Sequence, residues 1–593
     1  MKNIKSFIVV LPLVAALLAS CSKNFLDREP LSQLSPGSSF NSENQLKLYT
    51  NSFYDLLPAA GDIYNERWDN IVVNTLSSEM TGDRIVPVTD AGWSSSDARS
   101  WSALRNINFF LQNYQLGGLP DNITAPYVGV ARFFRAYFYF NMVARYGDVP
   151  WYSASIASND SALLQKPRDP RSLIIDSVVA DLDYAVAHLP SAASTEQVTR
   201  WTALALKSRI CLFEGTFRKY HFGDDFVKDS TGAAGLLRQS ADAADTLMSY
   251  GPYKLYTSTP DKAYWELFTA ETPIATEMIL ARTFNADLQV YHDVNYYTVS
   301  PSYGKPGLEK KLVNSYLMKD GSRFTDRMGY DTIQFYREME NRDPRLAGTI
   351  RTPGYMRINS TVKLAPDYAA TATGYQLIKY VLDATHDKIS GSVTPIPIFR
   401  YAEALLNFAE ARAEMGVLTQ ADIDRSINLL KSRVGMPGLD MAAANAHPDP
   451  YLAGQYKHLD GNNKGVILEI RRERRIELVM ENFRWNDLMR WKEGHLLAEQ
   501  FYGTYFPGPG SFDLDGDGKT DLVIYTGDKP AGQPGVQYLK LGSDISLEHG
   551  ASGGRVIING DITKSFREDR DYLYPIPTQE LQLNPDLHQN LHW

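Results

Sequence analysis

The residues best spaced for chemistry lie late in the chain, in Asp513-Leu-Asp515-Gly-Asp517-Gly518-Lys-Thr-Asp521. Acidic oxygens at loop positions 1, 3, 5 and 9, with Gly at position 6, form the first half of a calcium-binding loop. Position 12, which should be Glu, is Ile524. A calcium ion would therefore need another carboxylate from elsewhere, and would be structural, pinning a long loop. An Asp-rich turn without metal is the other reading. Gly550-Ala-Ser552-Gly-Gly554 has the letters of a nucleophile elbow, which requires a hydrophobic strand before the Ser and a helix after it. Here Ser546-Leu-Glu-His precedes and Arg555-Val-Ile-Ile follows, so the motif is rejected. His588 and His592 are four apart with no third ligand in view. Neither an H-E-x-x-H motif nor a P-loop occurs. A glycosidase carboxylate pair is defined by distance in space, and 69 acidic residues leave that question open. No catalytic residue is assigned.

Chemistry of a different kind marks the start of the chain. Lys2 and Lys5 precede an apolar stretch over 7–18, the pattern of an export signal. The stretch ends Leu17-Leu18-Ala19-Ser20-Cys21, which resembles a bacterial lipobox. Residues 1–20 then form a lipoprotein signal peptide, Cys21 is the lipidation site, and 21–39 are a tether. Several acyl chains on Cys21 hold a protein far more firmly than one, at about 0.8 kcal/mol per buried CH₂. A plain secretory signal with a coincidental Cys is the alternative. The other cysteine, Cys211, sits in an apolar helical pattern and reads as a buried, inert thiol.

The 593 residues are 44% hydrophobic and 22% charged, ordinary for a globular protein. A net charge of −9 argues against a nucleic-acid partner. Two cysteines exclude a disulfide scaffold or a multi-cysteine metal site. Past the N-terminus no apolar run is long enough to span a membrane.

Apolar residues recur at helical spacing over 44–57, 101–116, 127–146, 170–189, 201–213, 236–250, 398–415, 421–434 and 466–491, the last being the longest. Small residues such as Ala203, Ala205, Ala402, Ala404, Ala409 and Ala411 allow close helix approach. These segments pair as hairpins of tetratricopeptide size without a strict period, which predicts a degenerate, interrupted array. The expected body is a single unit over 40–593. Helical repeats occupy about 40–250 and 397–434, plus 466–491. The stretches 251–396 and 436–593, richer in Gly, Pro, Asn, Asp and Tyr, supply ligand-binding and capping loops with short strands such as 522–525 and 555–558. The run Arg471-Arg-Glu-Arg-Arg475 alternates with Glu469, Glu473, Glu477 and Glu481, a pattern of helix ion pairs.

Several segments resemble the SusD/RagB family of Bacteroidetes surface lipoproteins. Cys21-Ser-Lys-Asn-Phe-Leu-Asp27 is similar to the family's segment after the lipobox. Ala131-Arg-Phe-Phe-Arg135-Ala-Tyr-Phe-Tyr-Phe140 with Arg145-Tyr-Gly-Asp-Val-Pro150 resembles its aromatic helix and turn, with Val130 where Glu is usual. Asp181-Leu182-Asp-Tyr-Ala185 before Leu189-Pro190 is similar to a further helix. Arg400-Tyr-Ala-Glu403 through Glu410, and Asn428-Leu-Leu-Lys431-Ser-Arg433, match two more segments, with Lys431 where the family has Arg. Most specific is Arg472-Glu473-Arg-Arg475-Ile-Glu477-Leu478 with Glu481, Arg484-Trp485-Asn-Asp487-Leu488 and Arg490-Trp491. Tyr574-Pro-Ile-Pro577, Asn584-Pro585 and Gln589-Asn590 match its C-terminal pattern.

The resemblance implies a mainly α fold, a tetratricopeptide-like right-handed helical superhelix with a packed loop-rich region. It implies capture of a glycan, or in a minority a peptide, without catalysis. It implies an outer-membrane location, lipid-anchored and facing the exterior, and a SusC-like TonB-dependent transporter as partner, with the array toward the transporter and the loops toward ligand. No cofactor is implied. A surface glycoside hydrolase and a pure protein scaffold remain as alternatives without a supporting motif. Sugar rings stack on Trp and Tyr while their hydroxyls need polar partners. Trp93, in a polar loop, and Trp68 are candidates for stacking, as are Tyr291, Tyr296, Tyr297 and Tyr303 in a Ser- and Asn-rich loop. Asp83 and Arg84 can supply hydrogen bonds, a surface turn being the other reading.

Overall fold

The structure, a computed structural model, describes residues 40–66, 70–73, 93, 99–157, 159–228 and 230–593. The expected signal, lipidated Cys21, Trp68, Asp83 and Arg84 lie outside them. The main helices are α1 (Glu43–Asn51), α2 (Trp101–Asn113), α3 (Asp121–Tyr146), α4 (Arg171–His188), α5 (Arg200–Tyr220), α6 (Ala233–Tyr250), α7 (Tyr401–Glu414), α8 (Lys464–Glu477) and α9 (Arg484–Arg490). From α2 to α8 each packs on the next, so the array runs unbroken in space although about 150 residues separate α6 from α7.

Local sequence explains these helices. Thr199 caps α5, accepting the Thr202 N–H at 3.4 Å, and Gly147 ends α3 with φ +72°, where a side chain is disfavoured. Phe133, Phe134, Tyr137, Phe138, Tyr139 and Phe140 are all buried, so the middle of α3, residues 133–140, is enclosed on every side, as an all-round apolar stretch must be. Between α5, α6 and α7 a smaller core joins Leu212, Leu237, Phe408, Ala241, Ala244 and Ala411. The alanines let the axes approach. Gly215 does the same on α5, where a Cβ would stand 2.9 Å from Leu237 Cγ.

The insertion leaves and rejoins the array through a two-stranded sheet. Strand β2 (Met278–Arg282) pairs antiparallel with β4 (Ile396–Arg400), from Met278 opposite Arg400 to Arg282 opposite Ile396. This pairing delivers the chain to α7 beside α6. Residues 398–400, expected as the start of a helix, are therefore strand, because their apolar run is completed by a distant partner. Strand β1 (Ile71–Val72) pairs with β3 (Gly307–Leu308), and β5 (Tyr502–Phe506) with β9 (Gly554–Ile557). In the third unit β6 (Gly510–Phe512) lies antiparallel to β7 (Leu522–Tyr525), which is parallel to β8 (Gln537–Lys540). The expected strand at 522–525 is present.

Two further expectations are corrected. The longest labelled helix is α3, with 26 residues, and the pattern over 466–491 is broken. Met480 and Asn482 adopt φ +63° and +62° in a turn between α8 and α9. Buried Glu66 holds that turn, accepting the N–H groups of Met480 at 2.7 Å and of Phe483 and Arg484 at 2.9 Å. The charge run is structural, as expected, but its partners lie mostly outside its own helix. Arg471 to Arg475 are all buried. Arg474 pairs with Asp487 at 2.8 Å, Arg472 with Asp449 and Glu469, and Arg471 lies 4.4 Å from the centre of the Trp491 ring. Glu477 receives Arg433 at 2.7 Å, Arg400 at 2.8 Å and Arg345 at 3.1 Å. Arg400 also binds Glu481 at 2.6 Å and Glu277 at 3.0 Å, while Lys379 reaches Glu481 at 2.7 Å. Because Glu277, Arg345 and Lys379 belong to the insertion, this network clamps the insertion onto α8.

Candidate functional site

The aromatic candidates separate by burial. Trp93 is 2% exposed, packed edge-on against Trp101 at 5.4 Å and Tyr146 at 4.9 Å. It is a core residue in this arrangement and offers no face for stacking. Its polar neighbours in sequence conceal aromatic neighbours in space. Tyr297 is likewise buried, against Tyr64 at 5.4 Å. Tyr291 is half-buried and its hydroxyl donates to the Ala286 carbonyl at 3.0 Å. Tyr296 and Tyr303 remain. Tyr303 is 43% exposed, held by T-shaped contacts to Tyr296 at 5.5 Å and Tyr297 at 5.9 Å. Such contacts fix a ring without covering it. The Tyr296 hydroxyl lies 3.2 Å from Ser302 Oγ, and hydrogen bonds from Ser300 and Ser302 hold its pKa below the usual tyrosine range.

Two residues past Tyr303, Lys305 enters the lining of a polar cleft of about 170 Å³, with Tyr368, Thr371, Ser543, Asp544 and Asn559. The cleft is smaller than the roughly 300–1,000 Å³ typical of small-molecule pockets. It fits one ring or chain branch, with the rest of a ligand running over the surface. Its walls come from the insertion and from the C-terminal strands, brought together by backbone bonds. The Thr504 N–H donates to the Thr373 carbonyl at 2.8 Å, and beside it the Tyr368 hydroxyl meets Thr504 Oγ1 at 2.8 Å. Gly503 and Gly307 make this meeting possible, since a Cβ on either would stand about 2 Å from Thr373. A larger groove, about 710 Å³, opens instead on the array, between α5, α6 and the end of α7. Phe222, Leu237 and Met415 line it among Lys219, Arg238, Asp242 and Arg412.

The Asp-rich loop joins β6 to β7. Asp513, Asp515 and Asp521 bring carboxylate oxygens within 4.8 Å of one another. Asp517 is not among them and pairs with Lys519 at 2.8 Å. Asp513 accepts the N–H groups of Gly516 at 2.6 Å and Gly518 at 2.8 Å, and Asp521 accepts that of Leu514 at 2.7 Å. Burial, then the charges of Asp515 and Asp513, push the Asp521 carboxyl above its usual range. The three carboxylates can hold a hard cation such as calcium, and they also serve the turn by themselves. Ser552 lies in a short 3₁₀ turn followed directly by β9, which is not the setting of a nucleophile elbow. Cys211 is fully buried and its thiol is pushed up to about 12 by burial, as an inert structural cysteine.

Sequence reasoning missed Lys305, Asp544 and Asn559, which no spacing links, and Glu66, whose three backbone N–H partners lie more than 400 residues away.

Comparison with known proteins matches this architecture. The model of the SusD family matches residues 276–593, more than half of the chain. A SusD-like protein P38 from Formosa agariphila is 23% identical over 82% of this chain and 91% of its own length. A SusD-like protein P2 from the same organism is 23% identical over 67% of this chain and 71% of its own. Among solved structures, a SusD-like protein from Bacteroides fragilis superposes with a TM-score of 0.67 at 20% identity, covering 95% of this chain and all of that one. A SusD-like carbohydrate binding protein from the same organism gives 0.67 at 21% identity over 93% of this chain and all of its own. Helical array, clamped insertion and strand-bearing C-terminal region thus agree with the match of sequence: the chain belongs to the SusD family.

Proposed function

We propose that this protein is a cell-surface lipoprotein that captures a glycan without cleaving it and passes it to a SusC-like TonB-dependent transporter. The observation that carries the reading is the exposed, braced ring of Tyr303 beside Tyr296, on the loop that leads through Lys305 into a polar cleft. A planar face with clustered hydroxyl, amide and charged groups is what a sugar ring requires. The carbohydrate binding named for the Bacteroides fragilis relative supports the same assignment. Residues 1–20 are the export signal, Cys21 carries lipid, and 21–39 let the body stand off the outer membrane on its exterior side. The helical array, with its mixed apolar and charged groove, faces the transporter.

The test is affinity gel electrophoresis of the body from Ser22 onward against plant, fungal and host polysaccharides and a protein digest. One polysaccharide should retard migration while its polymer length stays constant. Tyr303→Ala should weaken that retardation about 5- to 30-fold, the equivalent of about 1–2 kcal/mol for an aromatic contact. Shortening of the polymer would overturn the non-catalytic reading. Retardation by the digest alone would turn the assignment to peptides.

A further inference from the structure

A second cluster of ligating side chains lies away from the cleft, where the loop after residues 450–455 meets the turn after α9. Glu493 is completely buried. Its Oε1 accepts the N–H of His458 at 2.9 Å and its Oε2 that of Lys457 at 3.1 Å. These bonds fix the carboxylate and leave Oε2 facing two imidazoles. The Nδ1 atoms of His458 and His495 each lie 3.5 Å from that oxygen. Three donors, one from each residue, fall within 4.8 Å of one another.

The distances favour coordination over hydrogen bonding. A charge-assisted N–H to carboxylate bond closes to about 2.7–2.9 Å, and both imidazoles stop short of it. Ligands of a tetrahedral zinc ion, at about 2.0–2.1 Å from the metal, stand about 3.3–3.4 Å apart. The observed 3.5 Å is close to that edge. In the second ring, that of His495, Nδ1 is the nitrogen that faces the carboxylate, so a metal-bound neutral imidazole would carry its proton on Nε2, which is buried with no acceptor among the described residues. The two ring centres are 6.4 Å apart at an interplanar angle of 65°, so the rings flank the carboxylate and do not stack. Two His and one Glu with an open fourth position suit a borderline-soft divalent cation, and the backbone bonds to Glu493 are the outer support that such ligands need.

We propose that His458, Glu493 and His495 bind a divalent transition-metal ion of the zinc type, with water in the fourth position. The ion would staple the loop at 456–463 to the segment that follows α9. This site is separate from the Asp-rich loop and from the cleft, and does not depend on the glycan assignment.

Cobalt(II), alone and then challenged with zinc, is the probe, using the whole mature chain purified without a histidine tag. One equivalent of cobalt should bind with the intense visible d–d bands of four-coordinate Co(II), and zinc should abolish them. His458→Ala and His495→Ala should each weaken binding by more than about 10-fold, while His588→Ala should leave it unchanged. The His458 side chain is 36% exposed, so its removal should not prevent folding, and an unchanged melting temperature of that variant without metal would verify this. Absence of four-coordinate bands, or equal binding by the wild type and both His458 and His495 variants, would overturn the proposal.

Discussion

Replacing Glu477 with Gln tests the clamp that holds the insertion to α8. Glu477 is the shared partner of Arg345, Arg400 and Arg433, all within 3.1 Å. The substitution keeps the shape and removes the charge. Arg433 is then left with Glu277 at 3.3 Å, Arg345 keeps Asp343 and Glu473, and Arg400 keeps Glu277 and Glu481. Breaking one partner out of a buried ionic group costs about 3–5 kcal/mol, since the remaining charges stay desolvated. Unfolding entropy of about 2.1 cal/mol/K per residue, taken over the 593-residue chain, is about 1.2 kcal/mol/K. The melting temperature of Glu477→Gln should therefore fall by about 2–4 °C. Asp261→Asn provides the comparison. It breaks a pair with Lys319 whose side chains are 71% and 52% exposed, worth about 0–1 kcal/mol, and should shift melting by less than about 1 °C.

The pH dependence gives a second readout of the same contact. Burial pushes the Glu477 carboxyl up, but Arg433, Arg400 and Arg345 outweigh it and hold the pKa far below the usual carboxylate range. A carboxyl depressed in the folded state contributes stability above its unfolded pKa, about 4.3, and loses it as pH falls toward the folded value. Gln cannot titrate. The gap between wild type and Glu477→Gln in scanning calorimetry should thus narrow as pH is lowered from 7 to about 3. A shift no larger than that of Asp261→Asn, or a gap that widens in acid, would refute the clamp.

Trp93→Ala should lower stability by about 3–5 kcal/mol, as large aromatic truncations in a core do, while leaving glycan retardation unchanged; calorimetry and the affinity gel separate the two effects. Tyr303→Ala should do the reverse, losing retardation with a melting shift under about 1 °C. Asp521 is pushed up by burial and by Asp515 and Asp513, so its charged form is disfavoured in the fold and its contribution to stability declines as pH rises. Asp521→Asn should therefore raise the melting temperature slightly at pH 7 in a chelator, and should abolish any rise that millimolar calcium gives the wild type.

These contrasts follow from what a linear pattern can encode. Helical periodicity is local, so α3, α4, α5 and α6 stand out from apolar spacing alone, and the family segments mark the residues that form α8 and α9. The break between α8 and α9 was not legible, because the period continues through it. Its cause is Glu66, a carboxylate from the other end of the chain that accepts three backbone N–H groups. Alternating Arg and Glu over 469–481 looks the same whether the helix is exposed or enclosed. Burial was decided by Arg345, Arg400 and Arg433, which arrive from three separate segments. Trp93 shows the converse error: polar neighbours in sequence suggested an exposed ring, whereas Trp101 and Tyr146 enclose it. The same limit applies to binding surfaces. Tyr303 was visible as an aromatic in a polar loop, but Lys305, Asp544 and Asn559 become one cleft only through the pairing of the insertion with the C-terminal strands. His458 and Glu493 likewise lack any recognised metal-ligand spacing and meet only because two backbone N–H groups turn the carboxylate toward both rings. Periodicity reports which face is buried. Polar chemistry in this chain is set by which distant segments share that buried face, and substitutions such as Glu477→Gln act on this second level without disturbing the first.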